Sequence, residues 1–383
     1  MLHRINLLAC LLVMGFAPAV SADEAPPAPL PPENDWVVIE SPVDESPTLE
    51  APTAAPSCAP VRSNTCQPGA CQPRACRPSA CRPDMCLPDP NWGLGCEEAY
   101  VRVDALLLTL DTPADRALAL TEQFTPLLAT GDLDYDSQAG PRITVGCQLN
   151  PCLTLESTYF GTLYWESDAV LADDDMLRLP GPVGRFTADF SDADVMAFES
   201  AARLESVEVN LIRSDPCSNW SFLIGFRYLG FEEDLDITSL DLDSGVSEYD
   251  IDATNNLFGM QVGGRWQKQL GCRLSVDFVS KGGIFGNAAQ QRTFLGDLDN
   301  SVVLRSSETD QGHVAFASEI GVNGTYQISS GLAVRGGYNW LWLEGVARAS
   351  DQLDFTGPFN TGMALDTGTA HFHGPHAGLE ARW

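Results

Sequence analysis

The feature that most constrains this chain is a two-residue alternation of apolar and polar side chains. Between Asn219 and Leu229 the apolar members are Trp220, Phe222, Ile224, Phe226 and Tyr228. Successive side chains of a β-strand point to opposite faces, so this segment has one apolar face and one face that carries Arg227. The same pattern recurs along most of residues 98–383, and it is typical of a membrane barrel with lipid outside and a polar lumen.

The alternation divides this region into about ten strands, an even number. We predict them near residues 98–110, 141–149, 153–166, 202–213, 218–232, 250–268, 272–287, 312–328, 332–345 and 370–383. Tight turns alternate with long connections near 111–140, 167–201, 233–249, 288–311 and 346–369. Short periplasmic turns and long outer loops favour an antiparallel transmembrane β-barrel, because a soluble sandwich has no reason to keep this order.

Composition and targeting signals divide the chain into four segments. Residues 1–22 have the charged start, apolar core and small-residue cleavage site of a signal peptide. Residues 23–57 form an acidic Pro-rich linker that is predicted to be disordered, residues 58–96 are Cys-rich with Pro-containing pentads, and residues 97–383 form the barrel. The formal charge of −30 argues against nucleic acid as a partner, since phosphate binding needs a basic surface.

The cysteines indicate disulfides in an oxidising compartment. Of 12 cysteines, Cys10 lies in the signal peptide, and the odd remainder leaves one thiol free or intermolecular. For the pentads a small disulfide knot is favoured, and crosslinking to cell-wall material or neighbouring subunits is the alternative. Cys147 and Cys152 flank one tight turn and are candidates for a local bridge. The full disulfide or crosslinking set is Cys58, Cys66, Cys71, Cys76, Cys81, Cys86, Cys96, Cys147, Cys152, Cys217 and Cys272.

The last strand resembles the C-terminal signal of bacterial outer-membrane proteins. The matching positions are His376, Gly378, Ala381 and Trp383, with Ala381 small for its place. This resemblance implies that the outer-membrane assembly machinery is a partner.

Several segments together resemble the planctomycete outer-membrane β-barrel porin family, in the same order over about residues 92–383. They are residues 140–146, 156–161, 207–211, 223–229, 255–265 and 337–340. The resemblance implies a barrel in the outer membrane and supplies no substrate.

The polar strand faces supply candidate residues for the lumen. Eight strands leave room only for side chains, whereas sixteen to eighteen leave an aqueous channel, so about ten strands enclose a narrow bore. We expect charges of both signs to pair across this bore and leave little open space. The predicted network is Arg102, Asp104, Arg142, Glu156, Glu208, Arg227, Arg265, Asp277, Lys281, Glu319, Arg335, Glu380 and Arg382. The acidic residues between Arg227 and Arg265 are assigned mainly to an outer loop.

Enzymatic chemistry is not expected. His371 and His373 share a strand face and could bind a metal, but a structural or interfacial role is favoured, so no metal or cofactor is predicted. No Asp–His pairing with defined geometry is recognisable in the sequence.

We interpret the chain as a structural or anchoring barrel of the bacterial outer membrane, surrounded by outer-membrane lipids, with its Cys-rich segment in the periplasm. A passive small-solute porin and a secreted soluble β-sandwich that binds or adheres remain as alternatives.

Overall fold

A computed structural model describes the chain at residues 96, 98–186, 188–215, 218–243, 245–298, 302–357 and 365–383. The predicted signal peptide, acidic linker and cysteine pentads lie outside the described residues, as do Cys58 and Cys217.

Within the described residues, twelve β-strands, numbered β1 to β12 in chain order, form one antiparallel sheet. They span Glu98–Leu110, Ala117–Thr121, Pro126–Ala129, Gln138–Asn150, Leu153–Arg178, Ser191–Ser214, Trp220–Asp241, Gly245–Gln269, Leu274–Asp297, Val302–Ser329, Leu332–Val346 and Gly368–Arg382. The helices are short: an α-helix at Val183–Phe186 and 3-10 helices at Thr130–Asp132, Ala188–Phe190 and Ala349–Gln352. Among the described residues, no helix has the length and apolarity to cross a membrane.

All strands except β2 and β3 close into a ring. β1 pairs with both β4 and β12, and β5 pairs with both β4 and β6, so the order runs without an open edge through β12 to β6. β2 and β3 form a small hairpin attached to β5, within a predicted connection. The predicted barrel of about ten strands is therefore confirmed, and the two-sheet sandwich is wrong.

Strands β5 to β10 are much longer than predicted, at 22 to 28 residues each. A barrel strand needs only about 9–11 residues to cross the hydrocarbon. These strands therefore continue for about as long again at the end of the barrel opposite the tight turns, which we call the long-strand end. The assignment of 167–201, 233–249 and 288–311 to loops is wrong for most of these residues, and the acidic run lies mainly on β7 and β8.

The apolar pattern changes face part way along β7. The outer face first carries Trp220, Phe222, Ile224 and Phe226, which are 49 to 66% exposed. From Leu229 onward the apolar residues lie on the inner face and are buried, namely Leu229, Phe231, Leu235 and Ile237. No register shift interrupts the pairing of β7 with β6 or β8, so the strand keeps its faces while the sequence pattern inverts.

The neighbouring strand repeats this inversion at the same level. On β8 the exposed residues Phe258, Met260 and Val262 lie toward the tight turns, whereas Tyr249, Ile251, Ala253 and Leu257 are buried inside. An apolar outer face suits lipid, and an apolar inner face suits a barrel wall surrounded by water. The inversion thus marks the boundary of the membrane-spanning band on the side of the long-strand end.

Candidate functional site

Charged side chains meet across the ring in the half that carries the tight turns. Arg227 on β7 lies 2.7 Å from Glu319 on β10, and Lys281 on β9 lies 2.7 Å from Glu208 on β6. These strands are not neighbours, and non-neighbouring strands of a closed ring can touch only through its interior. Lys281 also reaches Glu319 at 3.4 Å, so the two pairs form one chain of contacts.

A second group lies around Glu156 on β5. Arg102 contacts Glu156 at 3.0 Å and Glu380 at 2.6 Å, and Arg265 approaches Glu156 at 3.7 Å. The hydroxyl of Tyr100 donates to the same carboxylate at 2.5 Å. Tyr100 was missed by the sequence analysis, although it has the same alternation phase as Arg102.

Asp104 on β1 is shared by two guanidinium groups. It lies 2.9 Å from Arg142 and 3.5 Å from Arg335. The remaining predicted positions differ in their contacts: Asp277 accepts a hydrogen bond from Asn323 at 2.7 Å, and Arg382 is half-exposed at the barrel end, 2.5 Å from Glu380. The predicted charges thus lie together, and we call them with Tyr100 the charge network.

Neutral polar groups complete the contacts of this network. Gln261 on β8 donates to Glu208 at 2.6 Å and to Asn210 at 2.7 Å, and Arg227 donates to Ser206 at 2.9 Å. Burying an ion is costly unless it is paired and hydrogen-bonded. These neutral partners therefore help the charges to occupy a narrow lumen. The sequence analysis selected lumenal residues by charge alone, so it did not include these neutral partners.

Above the charge network, toward the long-strand end, the lumen is filled by apolar side chains, which we call the apolar layer. Every ring strand except β4 contributes to it, with members that include Leu106, Leu108, Phe160, Leu163, Trp165, Leu204, Leu229, Phe231, Leu257, Phe285, Leu341, Leu343 and Phe372. On β4, a Cβ added to Gly140 would lie 2.9 Å from Leu163, so glycine there makes room for its neighbour.

Ring contacts within the apolar layer show that the bore is filled. Phe231 on β7 and Phe372 on β12 lie on opposite sides of the ring, with centroids 5.6 Å apart. Trp165 on β5 packs against Phe372 at 5.5 Å, and its indole N–H donates to the carbonyl of Leu108 at 3.1 Å. Sequence analysis missed this layer because it expected polar side chains along the whole lumen.

The connection after β11 enters the long-strand end of the barrel. We call residues 347–357 the plug segment. Arg348 is buried and lies 2.7 Å from Glu233 of β7, which also accepts from the backbone N–H of Ala349 at 2.8 Å. The side chain of Asn255 on β8 donates to the carbonyl of Ala347 and accepts from its N–H, both at 2.7 Å. Gly345 has a φ of +77°, which suits glycine as the chain turns inward.

The far half of the plug segment is held by β8 and β10. Arg305 of β10 is buried, and its guanidinium donates to the carbonyls of Asp354 and Gly357 and to the hydroxyl of Tyr249. A second apolar cluster surrounds these contacts and includes Phe190, Phe198, Ile237, Ile251 and Leu353. Apolar packing and hydrogen-bonded polar groups therefore fill this end of the barrel as well.

A histidine pair lies on the outer face of β12. His373 lies 3.2 Å from Asp111 and His371 lies 3.5 Å from it, and the hydroxyl of Tyr338 lies 2.8 Å from His373. These Asp–His contacts were not recognisable in the sequence, because only the end of β1 brings Asp111 beside β12. Among the described residues, no group of three His, Cys, Asp or Glu side chains has the arrangement of a metal site.

The terminal strand and the cysteines meet at the tight-turn end. His376 and Gly378 lie on the inner face of β12, whereas Ala381 and Trp383 are exposed. Cys96 bonds Cys147 with a Cα separation of 5.4 Å, so the expected Cys147–Cys152 bridge is wrong. The reason is register: Cys147 lies opposite Ala99 on β1, three residues after Cys96. Cys152 and Cys272 are also disulfide-bonded.

An acidic surface covers the outer face of β7 and β8 beyond the membrane-spanning band. Asp234 lies directly opposite Asp252, and Asp236 lies opposite Asp250. Partial burial and the neighbouring carboxylates raise the pKa of Asp234 and Asp236 to about 6 and that of Asp250 to about 7. Like charges opposite each other destabilise a sheet, so these groups favour the protonated form in the folded state.

This acidic surface predicts a fall in stability as the pH rises from about 4 to about 7. In the unfolded chain these carboxyls ionise near their ordinary pKa of about 4, whereas in the folded protein they resist ionisation. The stability that they provide at low pH is therefore lost as the pH rises through their folded pKa. Asp250→Asn should raise the free energy of unfolding at pH 8 and not at pH 4, by on the order of 1 kcal/mol after solvent screening. Thermal unfolding across this pH range measures the effect.

Asp310→Asn, an exposed change on β10, should leave the pH profile as it is, and equal profiles for both variants would refute the prediction.

Comparisons with known proteins found similar solved structures and one matching family. The outer membrane protease OmpT of Escherichia coli is 9% identical, with a TM-score of 0.44 over 75% of this chain and 97% of that one. The translocator domain of the autotransporter NalP from Neisseria meningitidis is 8% identical, with a TM-score of 0.34 over 74% and 88%. No curated protein matches the chain. Residues 102–361 match the family described as "Putative beta barrel porin-7 (BBP7)", and the chain belongs to this family of outer-membrane β-barrels.

Proposed function

We propose that this protein is a closed barrel with a structural or anchoring role in the bacterial outer membrane. The observation that carries the proposal is the filled bore, above all the contact between Phe231 and Phe372 from opposite sides of the ring. The charge network lies below this contact, and the plug segment lies above it. A solute would have to displace three successive layers, two of which contain buried ion pairs.

The anchoring role rests on where the chain enters the barrel. β1 begins and β12 ends at the tight-turn end, where the N–H of Ala99 donates to the carbonyl of Trp383 at 3.0 Å. Tight turns face the periplasm in bacterial outer-membrane barrels. In this proposal the Cys-rich segment extends from Cys96 into the periplasm and crosslinks to cell-wall material or neighbouring subunits. Lipids surround the exposed apolar band, and the assembly machinery reads β12.

A passive small-solute porin is the second candidate, and the description of the family as porins favours it. Conductance across the barrel distinguishes the two functions. An open porin would also need a continuous aqueous path.

We expect the purified barrel to show no stable channel in a planar lipid bilayer. A variant lacking the plug segment, residues 347–357, should also remain closed, because the apolar layer and the charge network are still present. Heat-modifiable mobility on gels verifies that both proteins are folded and inserted. Reproducible single-channel steps from the intact protein would support the porin and reject the closed barrel.

Crosslinking through the pentads tests the anchoring role. On non-reducing gels of intact cell envelopes, we expect the protein to migrate in high-mass species that collapse to monomer on reduction. Replacing Cys66, Cys71, Cys76, Cys81 and Cys86 with Ser should abolish these species while the barrel still folds. Monomer from the unchanged protein, or the same pattern after replacement, would contradict the crosslink.

A further inference from the structure

A polar cavity of about 60 Å³ lies inside the charge network. Its wall includes Arg142, Arg265, Arg335, Glu319 and Asn339. One water needs roughly 10–15 Å³ of such space, so the cavity holds about four waters, or one small ion with fewer waters. The apolar layer closes the side toward the long-strand end.

The cavity wall contains buried polar atoms that make no hydrogen bond within the described chain. Arg265 Nε is one of them. Arg335 Nε is another, and it lies 3.5 Å from Asp104 Oδ1, which also makes none, so these two atoms form a loose ion pair. His376 has both ring nitrogens buried without a hydrogen bond, and it lies beside Asn323 of the cavity wall, because a Cβ on Gly337 would touch both. A neutral imidazole offers one donor and one acceptor, so Arg265 Nε supplies the excess of donors over acceptors.

The charges around the cavity also favour a bound anion. Arg335 has a side chain that is 9% exposed, and the carboxylate nearest to it is Asp104 at 3.5 Å. The same carboxylate lies 2.9 Å from Arg142, so two buried guanidinium groups share one negative charge. Five cationic and four carboxylate side chains form the cavity wall, and Glu380 behind the wall is a further partner of Arg102. Asp104 therefore remains the shared counterion of Arg142 and Arg335. A buried guanidinium that shares its counterion is costly, and a bound anion lowers that cost.

We propose that this cavity binds one small monovalent inorganic anion, with Arg335 as its principal ligand. The guanidinium N–H groups of Arg335 and Arg142 and the amide of Asn339 would donate to it. A polyatomic organic anion is too large for the cavity, so chloride and bromide are the probes. The ion stabilises the charge network, and this role is independent of whether the barrel anchors or conducts.

Thermal unfolding of the detergent-solubilised full chain tests the site. At constant ionic strength, replacing gluconate by chloride should raise the midpoint saturably, by about 2–4 °C when chloride exceeds its Kd several-fold. Arg335→Gln should remove this chloride dependence, whereas Arg292→Gln, an exposed change on β9 outside the charge network, should retain it. An equal midpoint in both salts, or an unchanged dependence in Arg335→Gln, would overturn the proposal.

Crystals grown in bromide give a second measurement that does not depend on a variant folding. We expect an anomalous peak inside the cavity, within hydrogen-bond distance of Arg335. Bromide confined to surface sites, an adventitious ion only, would mean that water alone occupies the cavity and would reject the anion site.

Discussion

Glu233→Ala should lower the free energy of unfolding by about 3–5 kcal/mol. The reason is that the substitution leaves Arg348 buried without its carboxylate, 2.7 Å from where Glu233 stood. The N–H of Ala349 loses its acceptor at the same time. Because these groups hold the plug segment, the loss should be concentrated at the long-strand end.

Chemical unfolding of the barrel in lipid vesicles, with the free energy extrapolated to water, measures this effect. Arg292→Ala is the matched control, since Arg292 and Glu308 form an ion pair 3.5 Å long whose side chains are 60% and 54% exposed. It should cost less than about 1 kcal/mol. The double change Glu233→Met with Arg348→Met should recover much of the loss, because apolar groups of similar volume often replace a buried pair at little cost. A Glu233→Ala cost no larger than that of Arg292→Ala would show that the plug segment is not held there.

The barrel could be predicted from the sequence because its signal is local. Each strand shows its two faces within a few residues, as Trp220 to Tyr228 do on β7. Strand order then follows from the sequence of tight turns. The inward direction of Arg227 and Arg265 follows from the same local signal, since both lie on the polar phase of their own strands.

The contents of the upper barrel could not be predicted in this way. Glu233 and Arg348 are separated by 115 positions, and neither has a neighbour in sequence that identifies its partner. Asn255 looks like an ordinary polar strand residue until Ala347 lies against it. The Cys96–Cys147 bridge spans 51 positions and depends on the β1–β4 register, which only the complete ring defines.

The strand ends were misjudged for a different physical reason. The pattern with apolar residues on the outer face ends where the lipid ends. Beyond that level the same strand still alternates, but its apolar residues lie on the inner face. Leu229, Phe231, Leu235 and Ile237 continue the two-residue period on the inner face. The two-residue period alone, whichever face carries the apolar residues, continues to the observed end of β7.

This inversion predicts opposite outcomes for the same substitution at two levels of one outer strand face. Ile224 and Thr238 both point outward from β7, Ile224 within the exposed apolar band and Thr238 beyond it. Ile224→Lys should destabilise the barrel by about 2–4 kcal/mol, the cost of a lysine near the middle of the bilayer. Thr238→Lys should cost nothing measurable, since it lies in water beside an acidic surface.

A third lysine on the adjacent inner position tests which side of the wall is dry. Ile237 is fully buried, so Ile237→Lys should be the most damaging of the three, because the ammonium group would lie among apolar side chains without a counterion. Unfolding in vesicles and in detergent measures all three variants. If Thr238→Lys proved as costly as Ile224→Lys, lipid would reach the long-strand end and the boundary at Leu229 would be wrong. If Ile224→Lys were tolerated, that face would not contact lipid. The expected order therefore requires lipid outside below the inversion and a dry interior above it.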